Sequence, residues 1–336
     1  MALDGITTSA IVSELKAALL GGRIDKIHQP LADEIRMSIR GLGSGAKKII
    51  ISANSAHPRI HLTESSRENP MTAPLFCMVM RKHIAGGKII DIVQPNFERI
   101  IILRIESANE MGDITTKNLI LEIMGKHSNL ILTDETGKIL DSIKRVTHEK
   151  SSVREVLPGR DYFIPHSGEK KDPLTITETE FKELLHNTPQ NLSKALYMDL
   201  TGLSPVVAAE ICHLASLDGD VSAKEFSDAE LTHLFHAFTW IIDDVREGNF
   251  TPNIIYEGEK PVEFASVPLT MMEGGNYKTV NFSSISELLE RYYAEKNMVS
   301  RIHQKSTDLR KIISNALERS YRKLDLQTKQ LKDTEK

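Results

Sequence analysis

The chain has 336 residues, of which 40% are hydrophobic and 26% charged, with a formal net charge of -4. That balance is ordinary for a soluble protein and leaves room for two domains; Cys77 and Cys212, each inside an apolar helical pattern, read as buried thiols in preference to a disulfide or a metal site. Lys and Arg against Asp and Glu number 22 to 19 over residues 1–165, 10 to 22 over 166–300 and 10 to 5 over 301–336, so a polyanion such as RNA would meet the two ends and the acidic middle would face away or touch protein.

Residues 1–22 show no basic leader and no unbroken apolar run, because Ser13, Glu14 and Lys16 interrupt it; neither a signal peptide nor a membrane span is read, and the expected location is cytoplasmic. Asp4 and Gly5 precede Ile6 to Leu20, where Ile11, Val12, Leu15, Ala18 and Leu19 form one stripe at helical spacing before Gly21 and Gly22 end the pattern. This predicts an amphipathic helix packed on a sheet, with Asp4 as N-cap. Short strands are predicted at residues 23–28, 34–40, 47–53 and 59–62, with the GLGSG of residues 41–45 as a hairpin turn. A second helix runs from Pro74, suited to a first helical position, to Gly86. Arg81, Lys82 and His83 near its carboxyl end complement the helix dipole and are candidate RNA-facing groups.

The stretch from Glu98 to Val146 is the centre of the pattern. ERIIILRI, NLILEIMGKHSNLILTD and GKILDSIKRV are apolar runs parted by short polar turns, as consecutive antiparallel strands are. In the first run Ile100 and Ile102 point to one face and Ile101, Leu103 and Ile105 to the other, which predicts a central strand covered on both sides. After Gly125, the tetrad Lys126, His127, Ser128 and Asn129 makes a hairpin tip that is basic and rich in hydrogen-bond donors, a candidate contact surface.

Beyond Pro165 the pattern turns helical through Gly248. Leu192 to Met198 and Ser204 to Leu214 flank the turn DLTGLSP, with Gly202 free to take positive φ, Ser204 as N-cap and Pro205 at the first helical position. Such helix-hairpin-helix turns can offer backbone N–H groups to phosphate, yet only Lys194 lies close by, and a packing role is the reading preferred. Ser227 with Glu230 makes a capping box for a long helix ended by Gly248. Strand patterns return at residues 253–256, 261–267 and 277–282, as if the helical segment were inserted into the β-rich domain. Ser284 with Glu287 then opens a last helix, in which Ile302, Leu309, Ile313, Leu317, Leu324 and Leu331 mark a coiled-coil arm without its partner.

No phosphate-binding GxxxxGK[ST], HExxH, paired CxxC or GxSxG pattern is present, and the histidines are scattered rather than grouped at ligand spacing. An enzyme is therefore the weaker reading, and no cofactor is implied.

EIMGKHSNLILTD, with GGRIDKIHQP at residues 21–30, FCMVMRKHIAGG at 76–87 and NEMGD at 109–113, resembles the amino-terminal region of the NFACT family, and the likeness runs on to the beginning of the coiled coil. The resemblance implies an α+β fold. A β-rich domain, like the amino-terminal one of formamidopyrimidine glycosylases, would occupy residues 1–170 and return over 251–296; an all-helical helix-hairpin-helix domain would fill 171–250; and the first arm of a coiled coil would span 297–336. It further implies a binding factor that is not an enzyme: one that holds the large ribosomal subunit with its stalled peptidyl-tRNA and recruits tRNA, alanyl-tRNA in bacterial members, for tailing without mRNA. In the family an acidic residue near the amino terminus and an Asp-Arg pair at the start of a central strand handle tRNA. These fall on Asp4, Glu98 and Arg99, the pair departing by one methylene at Glu98. From the residues alone, Asp4 is a helix cap and Glu98 with Arg99 a salt bridge at the sheet rim.

Two rivals stand beside this reading. A DNA glycosylase of the formamidopyrimidine type needs an amino-terminal Pro-Glu, where Ala2 and Leu3 follow Met1. Binding of fibronectin at the cell surface needs export or unconventional release.

Overall fold

Asp4 opens helix α1 (Gly5–Leu19) by accepting the Thr7 N–H at 2.8 Å through Oδ1, the capping predicted from the sequence. Its environment is less one-sided than the stripe suggested. Gly5 to Thr8 and Ala10 to Val12 are all buried, so the first turns are enclosed on every side and only the later ones are amphipathic. The computed structural model describes residues 3–334 apart from 42, 44, 110, 150, 152, 166 and 167, and side chains of the last helix at 285–296, 298 and 309–330. Leu42 and Ser44 of the predicted hairpin turn thus lie outside the described residues.

Among the described residues one antiparallel sheet has nine strands: β1 (Arg23–Leu31), β2 (Glu34–Arg40), β3 (Lys47–Ser52), β4 (Arg59–Leu62), β5 (Lys88–Val93), β6 (Ile100–Ala108), β7 (Ile114–Glu122), β8 (Asn129–Thr133) and β9 (Ile139–Ser142), in the order β4-β3-β2-β1-β5-β6-β7-β8-β9. Every neighbour is a chain neighbour except where helix α2 (Leu75–Ile84) carries the chain from β4 back beside β1. That seam is narrow, with Arg23 opposite Lys88 as its register pair. Pro74 is the N-cap of α2 rather than its first helical residue, because its ψ of 156° is extended. Strand β5 has no counterpart among the predicted strands. A bulge between Ile89 and Asp91 breaks its alternation, so Ile89 and Ile92 are both buried, three positions apart, and a period of two is lost.

Strand β6 is central, as expected, between β5 and β7. Its cover is unequal, however. Ile101, Leu103 and Ile105 are buried on one face, while on the other Ile100 is buried, Ile102 half-buried and Arg104 exposed. Ile100 belongs to a small outer cluster with Ile120, Ile131, Ile139 and Val156, which covers only that end of the strand.

Helices α3 (Glu178–Asn187), α4 (Leu192–Asp199), α5 (Pro205–Leu214) and α6 (Asp228–Glu247) follow. Capping boxes at Thr177 with Glu180 and Ser227 with Glu230 start α3 and α6, and Gly248 at φ 75° ends α6. Phe181, Phe235 and Phe238 pack with ring centroids 5.0 to 5.8 Å apart in the helical core. The returning strands β10 (Asn253–Glu257), β11 (Lys260–Ala265) and β12 (Tyr277–Asn281) do not rejoin the first sheet. They form their own, in the order β11-β10-β12, and Ile255, Ala265 and Val267 join the helical core together with Ile6 and Phe97. Glu210 of α5, buried, accepts from the Thr270 and Met271 N–H groups at 2.9 and 3.0 Å, which ties the helices to the loop after β11. Cys77 and Cys212 are buried free thiols.

Helix α7 (Ile285–Thr334) starts with the Glu287 N–H donating to Ser284 Oγ at 3.1 Å. Residues 1–290 make one compact unit and 291–336 a second. Along the second, Leu309, Ile313, Leu317 and Leu324 are exposed at the spacing read as a coiled-coil seam; the side chains of Ile302 and Leu331 lie outside the described residues. No helix among the described residues is long and apolar enough to cross a membrane.

Candidate nucleic-acid interface

The sheet sorts the candidate residues to its two ends. Arg99 immediately precedes β6, whose nine residues span about 30 Å before the far end at Ala108. At that far end Ser107 Oγ donates to the His83 carbonyl at 2.6 Å, and Lys82 and His83 face Asn109, Met111, Lys117 and Asp134 around a shallow cavity of about 540 Å³. Lys82 and His83 thus lie at the end of the sheet away from Arg99. Arg81 has a structural part as well: its Nε and Nη2 donate to the Ile27 carbonyl at 2.9 and 2.7 Å, clamping α2 to β1.

At the near end three segments converge. Gln94 Nε2 donates to the Gly5 carbonyl at 2.8 Å and to the Glu98 carbonyl at 2.9 Å, while the Gly5 N–H donates to the Gly202 carbonyl at 2.7 Å. Between them runs a 3-10 turn over Pro95–Phe97, in which Asn96 and Phe97 hold φ values of 50° and 56°, conformations that L side chains rarely adopt. Gly202 has φ +73°, and a Cβ there would lie 2.5 Å from the Phe97 carbonyl oxygen; at Gly5 it would lie 2.6 Å from both that oxygen and Gly202 Cα. Only glycine fits either place. The helix-hairpin turn is therefore a packing element seated on the start of α1, as its acidic surroundings suggested.

Asp4 sits inside this junction. Its Oδ1 caps α1 and its Oδ2 accepts from Ser204 Oγ at 2.6 Å, leaving the side chain buried. Burial pushes the carboxyl above the usual carboxylate range, against the lowering effect of Ser204 and Thr7. Asp4 thus shapes the rim from within and presents no surface for RNA. Glu98 and Arg99, half-buried, are the groups that the junction holds at the rim. The Arg99 carbonyl accepts the Ile123 N–H at 2.9 Å, which pins the pair to β7. Lys170 stands within electrostatic reach of both and of Asp199, and its Nζ donates to the Tyr197 carbonyl at 3.1 Å. Burial holds its pKa below the usual lysine value.

The β7–β8 tip shares this end of the sheet, since Glu122 pairs with both Ile100 and Asn129. Two of its four candidates prove internal. Ser128 accepts the Met124 N–H at 2.9 Å, and Asn129 donates to the Lys144 carbonyl at 2.8 Å while accepting from Leu130 N at 2.9 Å; both side chains are buried. The reading of Ser128 and Asn129 as contact residues is corrected: polar atoms at a tight turn are consumed by the turn. Lys126 and His127 are exposed. They line a concavity of about 350 Å³ with Lys144 and Arg154, the latter bound to the buried Glu122 carboxylate and stacked 5.6 Å over the Tyr162 ring. Such an end, with a guanidinium, ammonium groups and an imidazole on a rigid sheet, can bind phosphate and base edges and hold them in register.

Gln94, Phe97 and Lys170 were not singled out from the sequence. Asn96 and Phe97 follow a proline, a turn signal that could have marked them. Gln94 and Lys170 carry no local signal, because what gives them a part is Gly5 and Tyr197, far away in the chain.

A model of the NFACT N-terminal and middle domains matches residues 4–336. The protein named Rqc2 homolog RqcH of Bacillus subtilis is 36% identical over 336 residues, covering 100% of this chain and 56% of that protein. The human ribosome quality control complex subunit NEMF is 25% identical over 221 residues, 66% of this chain and 19% of that one. Among solved structures, the N-terminal part of the fibronectin/fibrinogen-binding protein from Streptococcus suis superposes with a TM-score of 0.71 at 31% identity, covering 87% of this chain and 98% of that one. The chain thus spans little more than half the length of its bacterial relative. With the family model running along almost its whole length, the chain belongs to the NFACT family.

Proposed function

We propose that the chain is the amino-terminal and middle part of a ribosome quality control factor, which holds the large ribosomal subunit carrying stalled peptidyl-tRNA and recruits tRNA, alanyl-tRNA by the family resemblance, without catalysing bond formation itself. The names of its relatives supply the ribosomal context. The observation that carries the tRNA-handling part is the grouping of Glu98 and Arg99 with the exposed Lys126 and His127 at one end of the sheet. Phosphate contacts from the tip would fix the register of an RNA while the rim pair reads or orients it. Positioning, not proton transfer, is what this arrangement suits.

The test is tRNA co-purification with large subunits by the protein that contains this chain. Arg99→Ala should lower it at least about tenfold with an unchanged melting temperature, and Glu98→Asp should keep it if Glu98 orients Arg99. Parent-level recruitment by Arg99→Ala would sink the assignment of the rim.

The Streptococcus suis relative, named for binding fibronectin and fibrinogen, supports a second reading in which this chain binds one of those proteins. Surface plasmon resonance against immobilised fibronectin separates the two: fibronectin binding that survives Arg99→Ala and a loss of RNA contact would place the two activities on different surfaces.

A further inference from the structure

The outer face of β1, β2 and β3 carries a concavity of about 390 Å³, built from other residues than the rim and tip. Five Lys and Arg side chains line it, Lys26, Arg36, Arg40, Lys48 and Arg67, against one carboxylate, Asp25. The register explains how they meet. Ser38 of the middle strand pairs with Lys26 on one side and Lys48 on the other, and Arg36 pairs with His28. Positions two apart on each strand share a face, so Lys26 with His28 and Arg36 with Ser38 and Arg40 point the same way.

Two of the guanidinium groups are held by a buried carboxylate. Glu34, buried at 2% exposure, accepts from Arg36 Nε at 2.9 Å and lies 3.9 Å from Arg67 Nε. Arg36 Nη1 donates to the Ser65 carbonyl at 2.8 Å and to Ser65 Oγ at 3.2 Å, which fixes its plane. Thr63, Ser65, Ser66 and Asn69 add hydroxyl and amide groups to the same wall. A simple ion would not fill this space, whereas a phosphate with its sugar would. Fixed guanidinium forks, mobile ammonium groups and hydroxyls together match a phosphoryl oxygen set rather than a lone carboxylate. His28 senses the same field: burial first, then the charges of Arg81 and Lys26, hold it below its usual value.

We propose that this concavity is a phosphate-binding site, taking nucleotide phosphates either from an RNA backbone or from a free mononucleotide, and separate from the rim at Glu98 and Arg99. The choice of RNA as the principal source rests on the function proposed above; the phosphate chemistry does not. Lys26 and Lys48 are the electrostatic wings of the site, and Arg36 with Arg67 its fixed base.

The test compares the 336-residue chain with its K26E/K48E double variant, whose changed side chains are exposed, using a fluorescent single-stranded oligouridylate across a range of salt and, separately, ADP by calorimetry. The double variant should bind the RNA at least about tenfold more weakly at about 0.1 M salt, with a log-log salt slope reduced by about 1.4, two contacts at about 0.7 each for a single strand. Its melting temperature should stay at the parent value. If K26E/K48E binds RNA like the parent while Arg99→Ala weakens it, the pocket is overturned and the rim stands. The opposite pattern upholds the pocket and removes the rim. A chain that binds no RNA but binds ADP, with binding lost in K26E/K48E, upholds the phosphate site with the mononucleotide as its source; a chain that binds neither overturns it.

Discussion

The hydroxyl of Ser204 donates a 2.6 Å hydrogen bond to the Asp4 carboxylate, joining the N-caps of two helices across 200 positions of sequence. One carboxylate thereby serves both helix starts, α1 directly and α5 through the hydroxyl that caps it. This explains why an acidic residue is useful at this place even though burial disfavours its charge.

Asp4→Asn keeps an acceptor for Thr7 and a polar partner for Ser204 while removing the buried charge, so its melting temperature at pH 7 should equal or exceed the parent value. Asp4→Ala should lose about 1–3 kcal/mol, since it removes a cap and strands a buried hydroxyl. The pH dependence has a definite sign. Because the folded carboxyl is held above 3.8, its favourable contribution is full below that value and is lost as pH rises through the folded value. Thermal melts of both variants against pH check this, and an Asp4→Asn protein that melts well below the parent at pH 7 would contradict it.

Gly202→Ala should be among the most damaging small substitutions in the chain. A methyl group there meets the Phe97 carbonyl oxygen at 2.5 Å and the Phe97 ring at 2.6 Å, in a backbone conformation of positive φ. A loss of about 2 kcal/mol or more is expected from strain and overpacking combined. The rim at Glu98 and Arg99 should loosen with it, because Phe97 precedes them. Urea unfolding measures the first effect and RNA affinity the second; a variant as stable as the parent would show that the junction yields without cost.

His61 should make the fold acid-sensitive. Its Nδ1–H donates to the Leu62 carbonyl at 2.8 Å, and Nε2 is buried without a hydrogen-bond partner among the described residues, so a second proton has no acceptor. Burial, resisted in part by the Leu62 bond and by Glu290 at 3.7 Å, lowers its pKa from 6.5 to about 4. The unfolded chain takes up the proton first. Stability present above pH 6.5 is therefore lost as pH falls towards 4, by up to about 3 kcal/mol. His61→Gln should flatten that part of the pH-stability curve, and an unchanged slope in this variant would exclude His61 as its source.

Much of the first sheet was legible because its strands alternate and its turns carry glycine, and the helix caps at Asp4, Ser204 and Ser227 were legible because capping is local chemistry. Strand β5 was hidden by the bulge before Asp91, which moves Ile89 and Ile92 onto one side. The unequal cover of β6 was hidden too, since Ile102 looks like Ile100 in the sequence, while Ile100 is buried within the outer cluster and Ile102 is only partly buried against it. Ser128 and Asn129 read as exposed because polar residues at a tip usually are. Whether a polar atom is spent internally depends on partners such as Lys144, 15 positions on, which no local pattern reports. Glu98 and Arg99 were located by resemblance. What holds them, the contact of Gly5, Phe97 and Gly202, joins places that are nearly 200 residues apart and could be seen only once the chain was folded.

That same three-way contact sets an order of events during synthesis. Apart from the seam between β1 and β5, every strand pairing in the nine-stranded sheet joins consecutive strands, so this sheet can assemble as the chain emerges, its α2 crossover being the longest excursion. The first turn of α1 cannot be finished then. Gly5 waits for the Gly202 carbonyl, Asp4 for the Ser204 hydroxyl and Ile6 for its neighbours in the helical core. Asp4, Gly5 and Ile6 thus reach their final place only after the hairpin between α4 and α5 has left the ribosome, and the turn that leads into Glu98 and Arg99 is packed at that moment rather than when its own strand forms.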